Sequence, residues 1–151
     1  YLYRQYMMTV NNIGSKYNFY HDINIFVSKV DYIKSNTKTA IKYNYHRPII
    51  INNNNDDSNN SRLEISELRH PVAERLIDSM YVTNDLTLGT ENYGMLLYGA
   101  NSVGKTTLTK AVGLNIIMAQ AGMYTSSKLK YVPYNKIITR LSGEDDLIQG
   151  K

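Results

Sequence analysis

From Lys16 to about Tyr43 the apolar positions Phe19, Ile23, Phe26, Val27, Val30 and Ile33 recur at steps of three and four. That spacing predicts an amphipathic helix whose stripe packs against a neighbouring helix, with Lys29, Lys34, Lys38 and Lys42 on its other faces. Upstream, Leu2, Tyr6 and Val10 share helical spacing, and Gly14-Ser15 interrupts it. Arg47-Pro48 ends the helical pattern, because a residue preceding proline is pushed out of the α region. Ile49-Ile50-Ile51 suits a short strand, and Arg62-Leu63-Glu64-Ile65-Ser66 alternates as a half-buried strand does. Pro71 sits where a helix tolerates it, at the first turn of a short helix over Val72 to Leu76. Tyr81 to Leu88 reads as a strand leading into a turn at Gly89, and Tyr93 to Tyr98 as a short buried strand. Lys105 to Ala121 is apolar nearly all round, which predicts a helix buried against a sheet, with Gly122 as its left-handed cap. Lys130 to Pro133 and Lys136 to Leu141 read as further extended segments, and Ser142-Gly143-Glu144-Asp145-Asp146 as a turn.

The run from Asn52 to Ser61 breaks this periodicity. It is polar and Asn-rich, buries too little to order itself, and is expected to be a disordered loop. It separates a helical segment, residues 1–48, from a second part, residues 62–151, with 49–61 as the linker. The 151 residues suffice for about one domain with a core. The chain starts at Tyr1 in mid-pattern and stops at Lys151 without a helix stop, so it is expected to be a piece of a longer protein.

Charge changes the picture little. The net charge is +4, and residues 1–50 carry seven Lys or Arg against two Asp. An ordinary solvated helix face accounts for that excess better than a DNA-facing one. The absence of cysteine excludes disulfides, thiolate metal sites and cysteine nucleophiles, and fits an intracellular location. No apolar run approaches the roughly 20 residues needed to span a bilayer, so no membrane partner is expected. The abundance of Tyr, Asn, Ile and Lys points to an A+T-rich genome rather than to a fold.

The candidate chemistry lies at Gly99-Ala100-Asn101-Ser102-Val103-Gly104-Lys105-Thr106, which fits the phosphate-binding pattern G-x-x-x-x-G-K-[ST] at every fixed position. A strand is expected before it and a helix after it, the context the motif requires. Such a turn aims backbone N–H groups at one spot and adds the positive end of the helix dipole, so an anion is held there. Gly99 and Gly104 allow backbone conformations that a Cβ would hinder. Lys105 would reach the β- and γ-phosphates of ATP, Thr106 would supply its hydroxyl to Mg²⁺, and Thr107 would contact the α-phosphate.

With these residues placed, the second half of the chain resembles the ATPase domain of MutS-family DNA mismatch repair proteins. Arg69-His70-Pro71-Val72, followed by Tyr81-Val82-Thr83-Asn84, is similar to the family's R-H-P-V segment and its aromatic and aliphatic pair before Asn. The loop is similar to the family's G-P-N-M-G-G-K-S, with Asn101 in third place; Ala100 replaces the proline and Val103 a glycine, and neither position gives a side chain to phosphate. The helix ending Met118-Ala119-Gln120-Ala121-Gly122, the Val132-Pro133 region and Ile138 to Leu147 continue in register. Upstream, Val30-Asp31-Tyr32-Ile33 and Tyr45-His46-Arg47-Pro48 resemble the end of the family's lever helix. The resemblance covers residues 17–151, strongly from 69 onward.

What the resemblance implies is an α/β fold: a P-loop, ABC-like nucleoside triphosphatase half-domain preceded by a long α-helical lever segment. It implies ATP and Mg²⁺ as ligands, mismatched double-stranded DNA and a second MutS-like subunit as partners, and ATP binding and hydrolysis coupled to clamp switching. Asn101 would bond near the γ-phosphate, against the plainer reading of a turn-forming Asn. Tyr81 and Val82 would sandwich adenine, against simple strand burial. His70 reads as a turn residue, and Glu144, Asp145 and Asp146 as a solvent-facing turn. The family's Ser-Thr-Phe signature, its Mg²⁺-holding acidic strand and its dimerisation helices would follow Lys151, so the catalytic acid is not identified in the chain and the stretch alone is expected to be inactive. Alternatives are a paralogue acting on recombination intermediates, another ABC-like transport or chromosome-maintenance ATPase, and a scaffold with a decayed site. The R-H-P-V segment argues against the wider ABC-like group, and an intact Lys105-Thr106 against decay.

Overall fold

The structure is a computed structural model that describes residues 1–51, 61–89, 91–101 and 103–139. It divides into two compact units, Tyr1–Lys38 and Thr39–Lys151. The first unit holds helix α1 (Leu2–Ser15) and most of helix α2 (Tyr17–Tyr43). The Gly14-Ser15 interruption falls at the end of α1, and Lys16 alone separates the two helices. The expected stripe on α2 is helical, yet Phe19, Phe26 and Ile33 are 61%, 68% and 62% exposed. Apolar spacing states which face of a helix can be buried; it does not state what buries it.

The second unit is built on a four-stranded mixed sheet of β1 (Ile49–Ile50), β2 (Leu63–Leu68), β3 (Asn84–Leu88) and β4 (Lys128–Tyr131), in the order β1-β4-β2-β3. β1 runs parallel to β4, while β2 is antiparallel to both β4 and β3. The alternation in β2 sends Leu63 and Ile65 inward. The register against β3 then shifts between Ile65 and Leu68, where Glu67 adopts φ 55° and its N–H donates to the Asp85 carboxylate at 2.7 Å. That bulge adds one residue and returns Leu68 to the buried face.

On that face Leu63, Ile65, Leu68, Leu86, Leu129 and Tyr131 meet one side of helix α3 (Lys105–Gln120), through Ala111, Ile116 and Ala119. Only this side is buried; Ile117 is half exposed, so the expectation of a helix covered all round is met on its sheet-facing side. Gly122 caps the helix with φ 77°. The short helix after Pro71 is a single 3-10 turn, Ala73–Arg75.

The stretch Tyr93 to Tyr98 departs from its expected form. It is not a buried strand: among the described residues no strand pairs with it, and Tyr93, Leu96 and Tyr98 are exposed. An apolar run becomes a buried parallel strand only between neighbours that satisfy its backbone on both edges. Tyr81 to Thr83 likewise precede the strand that begins at Asn84, and residues 136–139 carry no ladder. The Asn-rich run 52–60, Ser102 of the glycine-rich motif, and residues 140–151, where a turn is expected at Ser142 to Asp146, lie outside the described residues.

Candidate nucleotide-binding site

Gly104 is the residue from which the site is assembled. It caps the N-terminus of α3 in a left-handed conformation, φ 89°, and its carbonyl accepts the amide of Leu108 at 2.9 Å. A Cβ there would meet nothing within 4 Å, so the demand for glycine is conformational rather than steric. Downstream, the amides of Lys105, Thr106 and Thr107 belong to the first turn, where an α-helix leaves its N–H groups without intrahelical acceptors. With the dipole of a 16-residue helix behind them, they form a positive pole.

Lys105 closes the loop on itself. Its ammonium donates to the carbonyl of Gly99 at 2.8 Å and also to that of Ala100, which ties the two ends of the motif together. Thr106 and Thr107 are half-buried beside it, whereas Asn101 and Val103 are exposed. The elements ready to meet an anion are therefore one cation, two hydroxyls and a turn of backbone amides, within one loop-and-helix unit. Those residues fit a triphosphate with its divalent cation: a hard oxygen donor at Thr106, N–H donors and an ammonium for phosphate oxygens.

Tyr81 is half-buried; burial pushes its hydroxyl above the usual tyrosine range, opposed by a hydrogen bond with the His70 backbone. Val82 is 80% exposed. Among the described residues no hydrogen bond or ring contact joins either of them to residues 99–107. The expected turn role of His70 is what the structure shows. Its Nδ1 accepts the amides of Val72 and Ala73, both at 3.2 Å, and burial holds its pKa below the ordinary histidine value.

A polar cluster behind the loop was not among the sequence-based candidates. Asn115, fully buried in the middle of α3, donates to the carbonyls of Ala111 (2.9 Å) and Arg69 (3.1 Å). Its Oδ1 accepts from the hydroxyls of Ser126 (3.1 Å) and Ser127 (3.0 Å). Arg69 donates to the carbonyls of Tyr43 (3.2 Å), Asn44 (2.8 Å) and Ser126 (3.1 Å), and pairs with Glu74 at 2.8 Å. Tyr45 donates to Glu74 at 2.7 Å and accepts from Arg75 at 2.9 Å, and the Arg75 guanidinium lies 3.9 Å from the Tyr43 ring centroid. The available signal was an Asn within the apolar run Val112 to Ala119 of α3, since a buried amide needs partners.

Two relatives place these features in context. The chain is 39% identical over 127 residues to a mitochondrial DNA mismatch repair protein mutS homolog of Sarcophyton glaucum, covering 83% of this chain and 13% of that protein. It is equally 39% identical over 127 residues to the DNA mismatch repair protein MutS of Staphylococcus aureus strain JH9, covering 83% of this chain and 14% of that protein. The chain thus spans about one seventh of the length of the curated relatives it matches. No family model matches it.

Proposed function

The chain belongs to the MutS family of DNA mismatch repair proteins, and on that premise we propose that residues 99–107 are the ATP-binding loop of a mismatch repair ATPase. The observation that carries this reading is the left-handed Gly104 at the head of α3, with the Lys105 ammonium held across the loop mouth. ATP binds through its phosphates to the loop amides and to Lys105, which exchanges its two carbonyl contacts for phosphate oxygens. Thr106 offers its hydroxyl to Mg²⁺ and Thr107 to the α-phosphate. Mg²⁺ held by Thr106 would supply charge neutralisation at the phosphate oxygens; catalysis of this kind is positioning and electrostatics around an in-line water attack. Asn101, exposed at the loop's outer edge, is free to turn toward the γ-phosphate. Adenine would lie against Tyr81 and Val82.

In this reading the fold is an ABC-like P-loop half-domain, and the exposed Tyr93 to Tyr98 run leads into the loop. No catalytic acid is assigned among residues 1–151, and ATP turnover is proposed for the full-length protein. The partners are mismatched duplex DNA and a second MutS-like subunit. The test is the lifetime of the full-length protein on a mismatched duplex. ATP should shorten or convert that complex in the wild type and leave it unchanged in Lys105→Ala. Equal ATP responses in the two proteins would contradict the proposal.

A further inference from the structure

Between the middle of α3 and the end of α2 runs one set of hydrogen bonds, buried at Asn115 and exposed at Asn44, all within the second unit, with Arg69 at its centre. The side chain of Arg69 reaches backward: it donates to the carbonyls of Tyr43 and Asn44, the last residue of α2 and the residue after it. Asn44 has φ 53°, the left-handed turn that ends the helix and directs its carbonyl at the guanidinium. The backbone of Arg69 reaches forward: its carbonyl accepts from Asn115 of α3 at 3.1 Å and from Ser126 at 2.7 Å. One residue therefore holds the helix end with its fork of donors and the phosphate-loop helix with its carbonyl. Ten residues of straight helix, about 15 Å, separate Asn115 from Lys105, so a tilt of α3 at Asn115 is carried to the loop.

The economy of donors makes this more than packing. The guanidinium has five N–H groups in a rigid plane, and four bonds from it are directed at three carbonyls and one carboxylate. Lysine has the charge but not the fork. Asn115 is 0% exposed, with both donor and acceptor ends occupied, so α3 cannot slide on the 69–70 turn without leaving a buried amide unpaired.

We infer that Arg69 is a positioning residue for the nucleotide site: through Arg69 and Asn115 the C-terminal end of α2 and the phosphate loop are energetically linked, so nucleotide at the loop tightens the α2 end and the reverse. The inference rests on the nucleotide reading given above. Reciprocity is required of any such link.

The experiment is hydrogen exchange on the full-length protein, with and without a non-hydrolysable ATP analogue plus Mg²⁺. It reads the amides of Tyr45 and His46, which donate to Ala40 and Thr125 at 2.9 and 2.8 Å. In the wild type the analogue slows exchange there by about tenfold; in Arg69→Lys the slowing falls below about twofold, while the analogue still binds within about tenfold of its wild-type affinity. A purely structural role would raise exchange with and without nucleotide alike and leave the nucleotide-dependent difference intact. Asn115→Ala cuts the same link from the helix side and stands in if Arg69→Lys does not fold. Lys105→Ala separates the two readings. A wild type that binds no analogue removes the nucleotide assignment and this inference with it. Binding without slowing at Tyr45 and His46, or slowing that persists in both variants, overturns the link alone.

Discussion

Among the described residues several side chains act through backbone groups. His70 is an example: its Nδ1 accepts two amides at the start of the 3-10 turn, a role open only to the neutral ring. Burial depresses its pKa, so the unfolded chain takes up the proton first as pH falls. The stability that His70 contributes is present above about pH 6.5, the unfolded value, and is lost as pH falls through the lower folded value. Urea titrations of wild type and His70→Asn from pH 7.5 to 5 should show a smaller acid loss in the variant, whose amide oxygen accepts the same bonds without titrating. At Gly104 the demand is conformational, since an added methyl meets open space. Gly104→Ala should therefore keep the fold, cost about 1–2 kcal/mol in denaturant unfolding through the left-handed backbone, and weaken nucleotide binding by distorting the first turn of α3.

Helices and strands were legible in proportion to how far their own residues determine them. Helix α3 begins at Lys105 because a glycine-rich turn precedes it, and β2 alternates because one face is buried; both are written locally. The bulge at Glu67 is not, because it depends on the Asp85 carboxylate accepting its amide from β3. Tyr93 to Tyr98 shows the limit: apolarity there states a capacity for burial and leaves the neighbour unnamed. The motif from Gly99 to Thr106 is written in one local stretch, whereas the cluster of Arg69, Asn115 and Ser126 joins parts of the chain up to 57 residues apart, with no local spacing to reveal it. At the junction where α2 ends, Tyr45 has a displaced pKa. Burial, with Glu74 beside it, pushes its pKa to about 12. The proton is held more tightly in the folded chain, so Tyr45 contributes its full share below about pH 10, lost as pH rises toward 12. Tyr45→Phe should destabilise the protein by about 1–2 kcal/mol at pH 8. The stability gap between the two proteins should close between pH 10 and 12, as read by chemical denaturation.

For the molecule as a whole, relatedness and geometry speak to different levels. Identity of 39% over most of the chain establishes the family, and the loop geometry supports a place for ATP within it. The chain spans about one seventh of the length of the curated relatives it matches, so a part in repair stays within the proposal. The central claim reduces to whether the loop at Gly99 to Thr107 holds ATP. It is tested most directly by equilibrium titration of the full-length protein with a fluorescent ATP analogue and Mg²⁺, wild type beside Lys105→Ala. Loss of a charge-assisted contact to phosphate should weaken binding on the order of 100-fold while the unfolding midpoint without nucleotide stays unchanged. Equal affinity in the two proteins would contradict the account.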